Sequence, residues 1–405
     1  MGDIEHLIGL TGPFGSGCTT AAKYLEKKSG FKAVGLSNHL RDKWSSEHPS
    51  QQPRRRDLQS LGDQLRTDEG NDTLVRRALA GISDKHVVVD GIRNVGEISY
   101  LRNTYGYHFT LLGIIPTFDA RWDRLGANLY SDDKKGMKAF FADDERDQDE
   151  DTPHGQQVRK CIDQADILID NSEDVTLGEY KRKVLNYAEL ALGLEQRPPY
   201  REEIMMNVAY SMCHSSRCLK RHVGAIVVDS SGEAVGFGFN ENPKGMRPCK
   251  EEHGCCFKDK QKAEHLKQIV DDFGALFCPL CGIRVALTDA GKADCQECKK
   301  RGVTKSVEDI LFRERGMTWC TAIHAEAWAL SNAGERARGG ELFTTTYPCL
   351  QCAEKIVHAG IKTVWYTEPY PDPLSGNRLA LADVGLRQFE GVRCFDRMFA
   401  NTRPN

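Results

Sequence analysis

No stretch of this 405-residue chain approaches the ~18 consecutive apolar residues of a membrane-spanning helix, so no membrane association is expected. The start, MGDIEHLIGL, lacks the basic n-region of a secretory signal, and His6 stands where a myristoylation motif wants Ser or Thr. A cytoplasmic location is the expectation. Cysteine is too sparse for a disulfide scaffold: 15 residues are present, where such scaffolds need roughly 8–10%. The thiols are read as reduced, metal-bound or buried. Positive charge has no excess either, with 55 Lys and Arg against 58 Asp and Glu and a net charge of -3. Residues 1–200 hold 27 basic and 32 acidic side chains, residues 201–405 hold 28 and 26; neither balance is that of a nucleic-acid binder. No repeat of fixed period and no low-complexity tract interrupts the chain. What remains, 40% hydrophobic and 28% charged, is a globular composition, and the length suits two or three domains of roughly 150 residues.

The first two hundred residues alternate strand and helix patterns. Strands are expected at His6–Leu10, His86–Val89, Phe109–Ile115 and Asp166–Ile169, with helices at Thr19–Lys28 and Leu177–Leu194. Strands separated by helices point to an α/β fold with a parallel sheet. Asp143–Asp151 carries seven acids in nine residues and reads as a solvated loop, with a functional lid as the alternative. Gly193 followed by Arg197-Pro198-Pro199 marks the domain boundary: one domain over 1–196 and a second over 201–405. The second holds a helix at Arg201–Met212, then strands at Val223–Val228 and Ala234–Phe239 and a Cys-rich insertion over about 249–305. Beyond the insertion come helix Ala325–Asn332, strand Leu342–Thr345, helix Ala353–Ala359 and strand Thr363–Tyr366.

The chemistry concentrates in His324-Ala325-Glu326 and, 24 residues on, Pro348-Cys349-Leu350-Gln351-Cys352. His324, Cys349 and Cys352 offer three N/S ligands and leave one tetrahedral position of a catalytic zinc for water, whose pKa falls toward ~7 on the metal. Glu326 is then free to shuttle protons as the catalytic acid–base. H-x-E with P-C-x-x-C is the signature of zinc deaminases acting on cytosine or adenine, and the segment resembles the cytidine and deoxycytidylate deaminases. Ser216-Arg217-Cys218, Val223–Val227 and Gly238-Phe239-Asn240-Glu241-Asn242-Pro243-Lys244-Gly245 follow in the order seen in deoxycytidylate deaminases. The resemblance implies Asn240 as a sugar contact and Arg217 and Lys244 as phosphate contacts. It also implies presentation of the base to aromatic residues, for which Tyr347, Tyr366 and Trp319 are the candidates. The family usually reads Asn-Gly-x-Pro here, whereas Glu241 and Asn242 intervene in this chain.

A second metal site is read from Cys278-x2-Cys281, thirteen residues, then Cys295-x2-Cys298, a pattern that closes a structural zinc site. Cys249, His253, Cys255 and Cys256 form a tighter cluster of the kind that can hold another metal, with reduced surface or core cysteines as the plainer reading. Cys161, Cys320 and Cys394 read as ordinary buried residues and His358 as a core histidine. Near the start, Gly12-Pro13-Phe14-Gly15-Ser16-Gly17-Cys18-Thr19 has the spacing of a P-loop, whose backbone N–H groups hold a phosphate. Cys18 occupies the lysine position, so the cation that reaches the outer phosphates is missing; Thr19 keeps the hydroxyl for Mg2+. A nucleoside triphosphate is expected to bind, with Mg2+, without efficient phosphoryl transfer. The domain resembles small nucleotide kinases such as dephospho-coenzyme A kinase through Asp90-Gly91-Ile92-Arg93, Arg121 and Arg124, and Ala165–Asn171. That resemblance places Asp90 near the metal and Asn171 near the base; Arg93 and Arg121 are the candidates for supplying part of the missing charge.

A P-loop kinase-like domain followed by a cytidine-deaminase-like α/β/α domain with a four-cysteine zinc insertion resembles the two-domain deaminases of bacterial anti-phage defence. The resemblance implies conversion of dCTP or dCMP to uracil nucleotides and ammonia, depletion of the dCTP pool, a homo-oligomer, and, in related families, an inhibitory RNA partner. Two other readings stand beside it. One is a polynucleotide cytosine deaminase, disfavoured by the near-neutral charge. The other is a nucleotide-binding regulatory protein whose zinc is structural only.

Overall fold

The computed structural model describes residues 4–49, 51–130, 136–137, 139–141, 143–144, 154–172, 174–273, 276–278, 281, 283–285, 295–297, 320–368, 373–393 and 395. The chain divides into two compact units. The first comprises Met1–Asn207, Thr367–Pro369 and Gln388–Asn405; the second comprises Val208–Tyr366 and Tyr370–Arg387. The linear boundary expected at 197–199 therefore differs from this division, because the end of the chain returns to the first unit.

The first unit is built on a six-stranded sheet of β1 (His6–Thr11), β2 (Lys32–Gly35), β3 (His86–Ile92), β4 (Phe109–Ile114), β5 (Ile167–Ile169) and the terminal strand Gly391–Val392. Their order is terminal strand, β5, β4, β1, β3, β2. Pairing is parallel from β2 through β5, while the terminal strand lies antiparallel to β5, with Val392 opposite Ile167. Helices cover both faces, so the central strands are near-continuous apolar runs: every residue of β4 is buried. On one face Ile8, Leu10, Val88, Leu112, Ile114, Ile167 and Ile169 pack on Ala21, Ala22 and Leu25 of helix Cys18–Ser29 and on Tyr180, Val184 and Ala188 of helix Leu177–Ala191. Each fully buried Leu or Ile contributes about 1.5–3 kcal/mol. The second of these helices starts where a capping box forms. Thr176 Oγ1 accepts from Glu179 N at 3.2 Å and the Glu179 carboxylate accepts from Thr176 N at 3.0 Å. The terminal strand is fixed by Glu203, whose buried carboxylate accepts from Val392 N at 2.8 Å and pairs with Arg197 at 2.7 Å.

Asp143 and Asp144 do not behave as a solvated loop. Both are buried: Asp143 accepts from Arg56 Nε at 2.8 Å and Tyr130 Oη at 2.9 Å, and Asp144 holds Arg121 through both oxygens. The remainder of that acidic run, from Glu145 to Asp151, lies outside the described residues.

The second unit carries a sheet whose strands are β6 (Gly224–Val228), β7 (Ala234–Phe239), β8 (Glu341–Thr346), β9 (Thr363–Glu368) and β10 (Gly385–Gln388). The order is β10, β9, β8, β6, β7, with β6 antiparallel to both neighbours. Ala225, Val227, Leu342 and Val364 present one face to Ala325, Ala329 and Ala333 of helix Ala325–Ala333 and to Ala353 and Ile356 of helix Leu350–Ala359. The first of these helices sits very close to β7, because the inward positions there are glycines. A Cβ on Gly238 would lie 2.2 Å from the Ala325 carbonyl oxygen and 2.5 Å from Ala329 N. His358 is exposed on the outer face of the second helix, not in the core.

Candidate active site

His324 and Cys349 are each the last non-helical residue before a helix, at φ −72° and −73°. That position aims both side chains, with Cys352 and Glu326 from the first turns, toward one point, where the helices' positive ends favour thiolate. His324 Nδ1 lies 3.3 Å from Cys349 Sγ and 3.3 Å from Cys352 Sγ, and the three ligand atoms all fall within 4.8 Å of one another. Tetrahedral zinc, with bonds of about 2.0 Å to N and about 2.3 Å to S, sets such atoms about 3.5 Å apart. The donor set fits zinc. The thiol chemistry agrees: hydrogen bonding from Cys352, then from His324, pulls the Cys349 thiol down to about 4. The same pairing with Cys349 pushes Cys352 up and raises His324.

Glu326 is buried, and Cys352 Sγ donates to its Oε2 at 3.5 Å. Burial raises its carboxyl above the ordinary value, the direction an acid–base group working near neutrality needs. Of the aromatic candidates, Tyr347 and Tyr366 pack edge to face on each other at 4.8 Å; Phe239 stacks on Trp328 at 5.7 Å. Trp319 lies outside the described residues.

The three substrate candidates are placed differently from one another. Asn240 is buried; its Oδ1 accepts from Val223 N at 2.7 Å, its Nδ2 donates to Arg221 O at 2.7 Å, and its carbonyl accepts from Ser216 Oγ at 2.7 Å. It pins the strand end to the Ser216 turn, leaving one donor hydrogen and one lone pair on the amide. Arg217 is exposed and pairs with Glu241 at 2.5 Å and Glu251 at 3.7 Å. Lys244 is exposed in the same loop.

Cys278, Cys281 and Cys295 converge within 4.8 Å, with Cys281 and Cys295 sulfurs 3.5 Å apart. A short ribbon of Leu276–Phe277 and Arg284–Val285 presents the first pair. Cys298 lies outside the described residues. In the Cys249 cluster the thiols are free, Cys255 is exposed, and His253 packs at a tilt on Phe257 with ring centres 4.7 Å apart. Cys218 and Cys320, far apart in sequence, instead join Cys249 and Cys256 around a cavity of about 30 Å³. No three of those sulfurs lie within 4.8 Å.

In the first unit the Gly12–Thr19 loop borders a cavity of about 620 Å³, within the ~300–1,000 Å³ of ligand sites. Gly17 has φ 105°, a left-handed conformation only glycine adopts readily, and a Cβ there would lie 2.7 Å from Asn171 Nδ2. That amide donates to Ser16 O at 2.7 Å, so Asn171 braces the loop. Thr19 Oγ1 donates to Asp90 Oδ2 at 2.7 Å; hydroxyl and carboxylate together form an oxygen donor pair suited to Mg2+. Arg121 is spent on buried Asp144 and on Phe14 O, so of the two charge-supplying candidates only Arg93 faces the cavity. Arg55, at the start of helix Arg55–Glu69, faces it too, with its guanidinium 3.5 Å over the Phe14 ring.

Comparison with known proteins matches both halves. Residues 199–368 match the family model for the cytidine and deoxycytidylate deaminase zinc-binding region, and residues 8–153 match an AAA domain. The chain is 27% identical over 228 residues to a deoxycytidylate deaminase of Schizosaccharomyces pombe, covering 56% of this chain and 54% of that one. It therefore spans about half the length of that relative. A deoxycytidylate deaminase of Enterobacteria phage T4 is 26% identical over 196 residues, 46% of this chain and 86% of the phage protein. A UPF0200 protein of Methanothrix thermoacetophila is 31% identical over 180 residues, 44% of this chain and 94% of its own length. Among the described residues no helix is long and apolar enough to cross a membrane. The chain thus carries a P-loop kinase-like domain in its first half, through which it belongs to the UPF0200 proteins, and a cytidine and deoxycytidylate deaminase domain in its second.

Proposed function

We propose that the protein deaminates the cytosine of deoxycytidine nucleotides, dCTP or dCMP, to the uracil nucleotide and ammonia. The observation that carries this is His324, Cys349 and Cys352 within 4.8 Å of one another beside buried Glu326. Zinc held by the three ligands supplies Lewis acidity that activates water at neutral pH. Glu326 takes a proton from that water and delivers it to base N3, and a further proton passes through its carboxyl to the departing amine. Burial keeps the carboxyl ready to hold a proton between these transfers. Tyr347 and Tyr366 form an aromatic wall for the base, and Asn240 offers its remaining amide sites to the sugar. Arg217 and Lys244 meet the phosphates once Arg217 leaves Glu241. Cys278, Cys281 and Cys295, with Cys298, hold a second, structural zinc.

The P-loop domain holds a nucleoside triphosphate with Mg2+ at Thr19 and Asp90, and the enzyme works as a cytoplasmic homo-oligomer. Consumption of the dCTP pool would deny a phage its precursor, a role supported by the resemblance of the two-domain order to defence deaminases, some of whose relatives have an inhibitory RNA partner. The test is Glu326→Gln. Loss of proton transfer lowers the ammonia-release rate on dCTP and dCMP by ~10²–10⁴-fold with zinc content unchanged; a rate within tenfold of wild type would sink the mechanism.

A further inference from the structure

Glu241 and Asn242, the two residues that depart from the Asn-Gly-x-Pro pattern, reach the chain that enters the candidate zinc site. Glu241 follows Asn240, just past the end of β7. Its backbone forms an antiparallel bridge with Ile323, the residue before His324. Glu241 N donates to Ile323 O at 3.2 Å, and Ile323 N donates to Glu241 O at 2.9 Å. Asn242 adds a side-chain rung beside the bridge. Its Oδ1 accepts from Thr321 Oγ1 at 2.8 Å, and its Nδ2 donates to Arg247 O at 2.7 Å. The Arg247 carbonyl can only accept, so it fixes which end of the amide faces it and turns Oδ1 toward Thr321. Cys249 Sγ closes the group, 3.8 Å from Asn242 Nδ2 and 4.0 Å from Thr321 Oγ1. Among the described residues, every hydrogen bond that Thr321 and Ile323 make outside their own segment goes to Glu241, Asn242 or Cys249. His324 ends that segment, and its side chain makes no capping bond at the helix start.

We infer that Asn242 is a positioning residue for His324: by clipping Thr321 to the turn at Arg247, it holds the chain entering the zinc site in register with the loop that carries Asn240. The inference deepens the deaminase reading of this site and rests on it. Glu241 sits between Asn240 and Asn242, and Ile323 abuts His324. The bridge and its rung therefore tie the substrate loop to a proposed metal ligand with no free chain between them. An amide suits the place because its two ends have opposite hydrogen-bond character, one meeting a hydroxyl donor and the other a carbonyl acceptor. A glycine at 242 would keep the backbone bridge but leave Thr321 and the Arg247 carbonyl without this partner. Groups that orient a metal ligand from behind act on the reacting geometry, which tolerates little displacement. Loosening such a group shows in turnover more than in substrate binding.

Steady-state kinetics on dCMP and dCTP, with amide hydrogen exchange on the same zinc-loaded full chain, test this. Asn242→Ala should lower kcat roughly 10- to 100-fold, with KM within about threefold and the zinc content unchanged. The Ile323 amide should exchange roughly tenfold faster in that variant, the weight of about one hydrogen bond. Thr321→Val should reproduce both effects, and Thr321→Ser, which keeps the hydroxyl, should restore wild-type behaviour. Combining Asn242→Ala with Thr321→Val should slow the enzyme by no more than about twofold beyond the slower single variant, because both remove the same bond. Wild-type kcat and wild-type exchange at Ile323 in a folded Asn242→Ala protein overturn the inference. So does a raised KM at unchanged kcat, which would put Asn242 in substrate binding and not in the alignment of His324. If Asn242→Ala does not fold, the two Thr321 variants carry the test, and equal rates for Val and Ser overturn it. An active wild type with indifferent variants removes the positioning role alone. A zinc-loaded wild type that deaminates neither nucleotide ends the deaminase reading and the inference with it.

Discussion

Gly238→Ala puts the position of the catalytic helix to a direct test. The added Cβ would lie 2.2 Å from the Ala325 carbonyl oxygen and 2.5 Å from Ala329 N. Ordinary contact begins at 3.4 Å; both atoms are helix backbone and cannot rotate away, so the helix or β7 must retreat by about 1 Å. Ala325 lies between His324 and Glu326, so the displacement falls on the proposed zinc ligand and the proposed proton shuttle together. A misplacement of about 1 Å can cost ~10²-fold in rate, and overpacking of this kind costs about 1–3 kcal/mol in stability. The assay is ammonia release at saturating dCMP, with zinc content and melting temperature measured on the same sample. Gly385→Ala is the control, since its Cβ would meet only Lys362 O at 3.6 Å and Thr363 Oγ1 at 3.7 Å. Wild-type turnover by a folded, zinc-loaded Gly238→Ala protein would refute the claim that close helix–strand approach sets the catalytic geometry.

Cys281→Ser should lower the zinc content from two per chain to one and destabilise the insertion, because three remaining thiolates close the site poorly; an unchanged count by elemental analysis rejects the second site. Asp229, in the β6–β7 turn, accepts from Ser231 Oγ and from Arg336 at 2.7 Å, and these bonds hold its carboxyl well below 3.8. A depressed folded value stabilises above pH 3.8 and is lost as pH falls through the folded value. Asp229→Asn should therefore melt earlier than wild type at pH 7, with the gap closing below pH 3.8; a gap that persists undiminished into acid would contradict the assignment.

The convergence of His324, Cys349 and Cys352 was legible because the residues are local in sequence: H-x-E and P-C-x-x-C each occupy a helix start, and the intervening strand, Glu341–Thr346, falls where its apolar run predicts. Four strands of the first sheet, β1, β3, β4 and β5, were legible for the same reason, as buried runs bounded by turns, whereas β2, exposed at Lys32 and only partly buried beyond it, was not. Contacts that join distant segments were not. Nothing local in Gly391–Val392 marks a strand; its place comes from β5 and from Glu203, over 180 residues earlier. Asp143 and Asp144 look solvated in a run of acids, yet Arg56, Tyr130 and Arg121 bury them. The cysteines Cys218 and Cys320 lie about 100 residues apart, so their shared cavity with Cys249 and Cys256 is invisible to spacing rules. Asn240 was read for its functional type alone, while the fold also uses its amide to tie Val223 to Arg221.

The most direct test of the central claim is a product panel on the zinc-loaded full chain: dCMP, dCTP, cytidine, CTP and single-stranded DNA, each assayed for ammonia and for the uracil product. The account predicts ammonia and deoxyuridine nucleotide in equal amounts from dCMP or dCTP, abolished when the zinc at His324, Cys349 and Cys352 is chelated and recovered when it is restored. Zinc bound at that site with no ammonia from either deoxycytidine nucleotide, or deamination confined to single-stranded DNA, would contradict it.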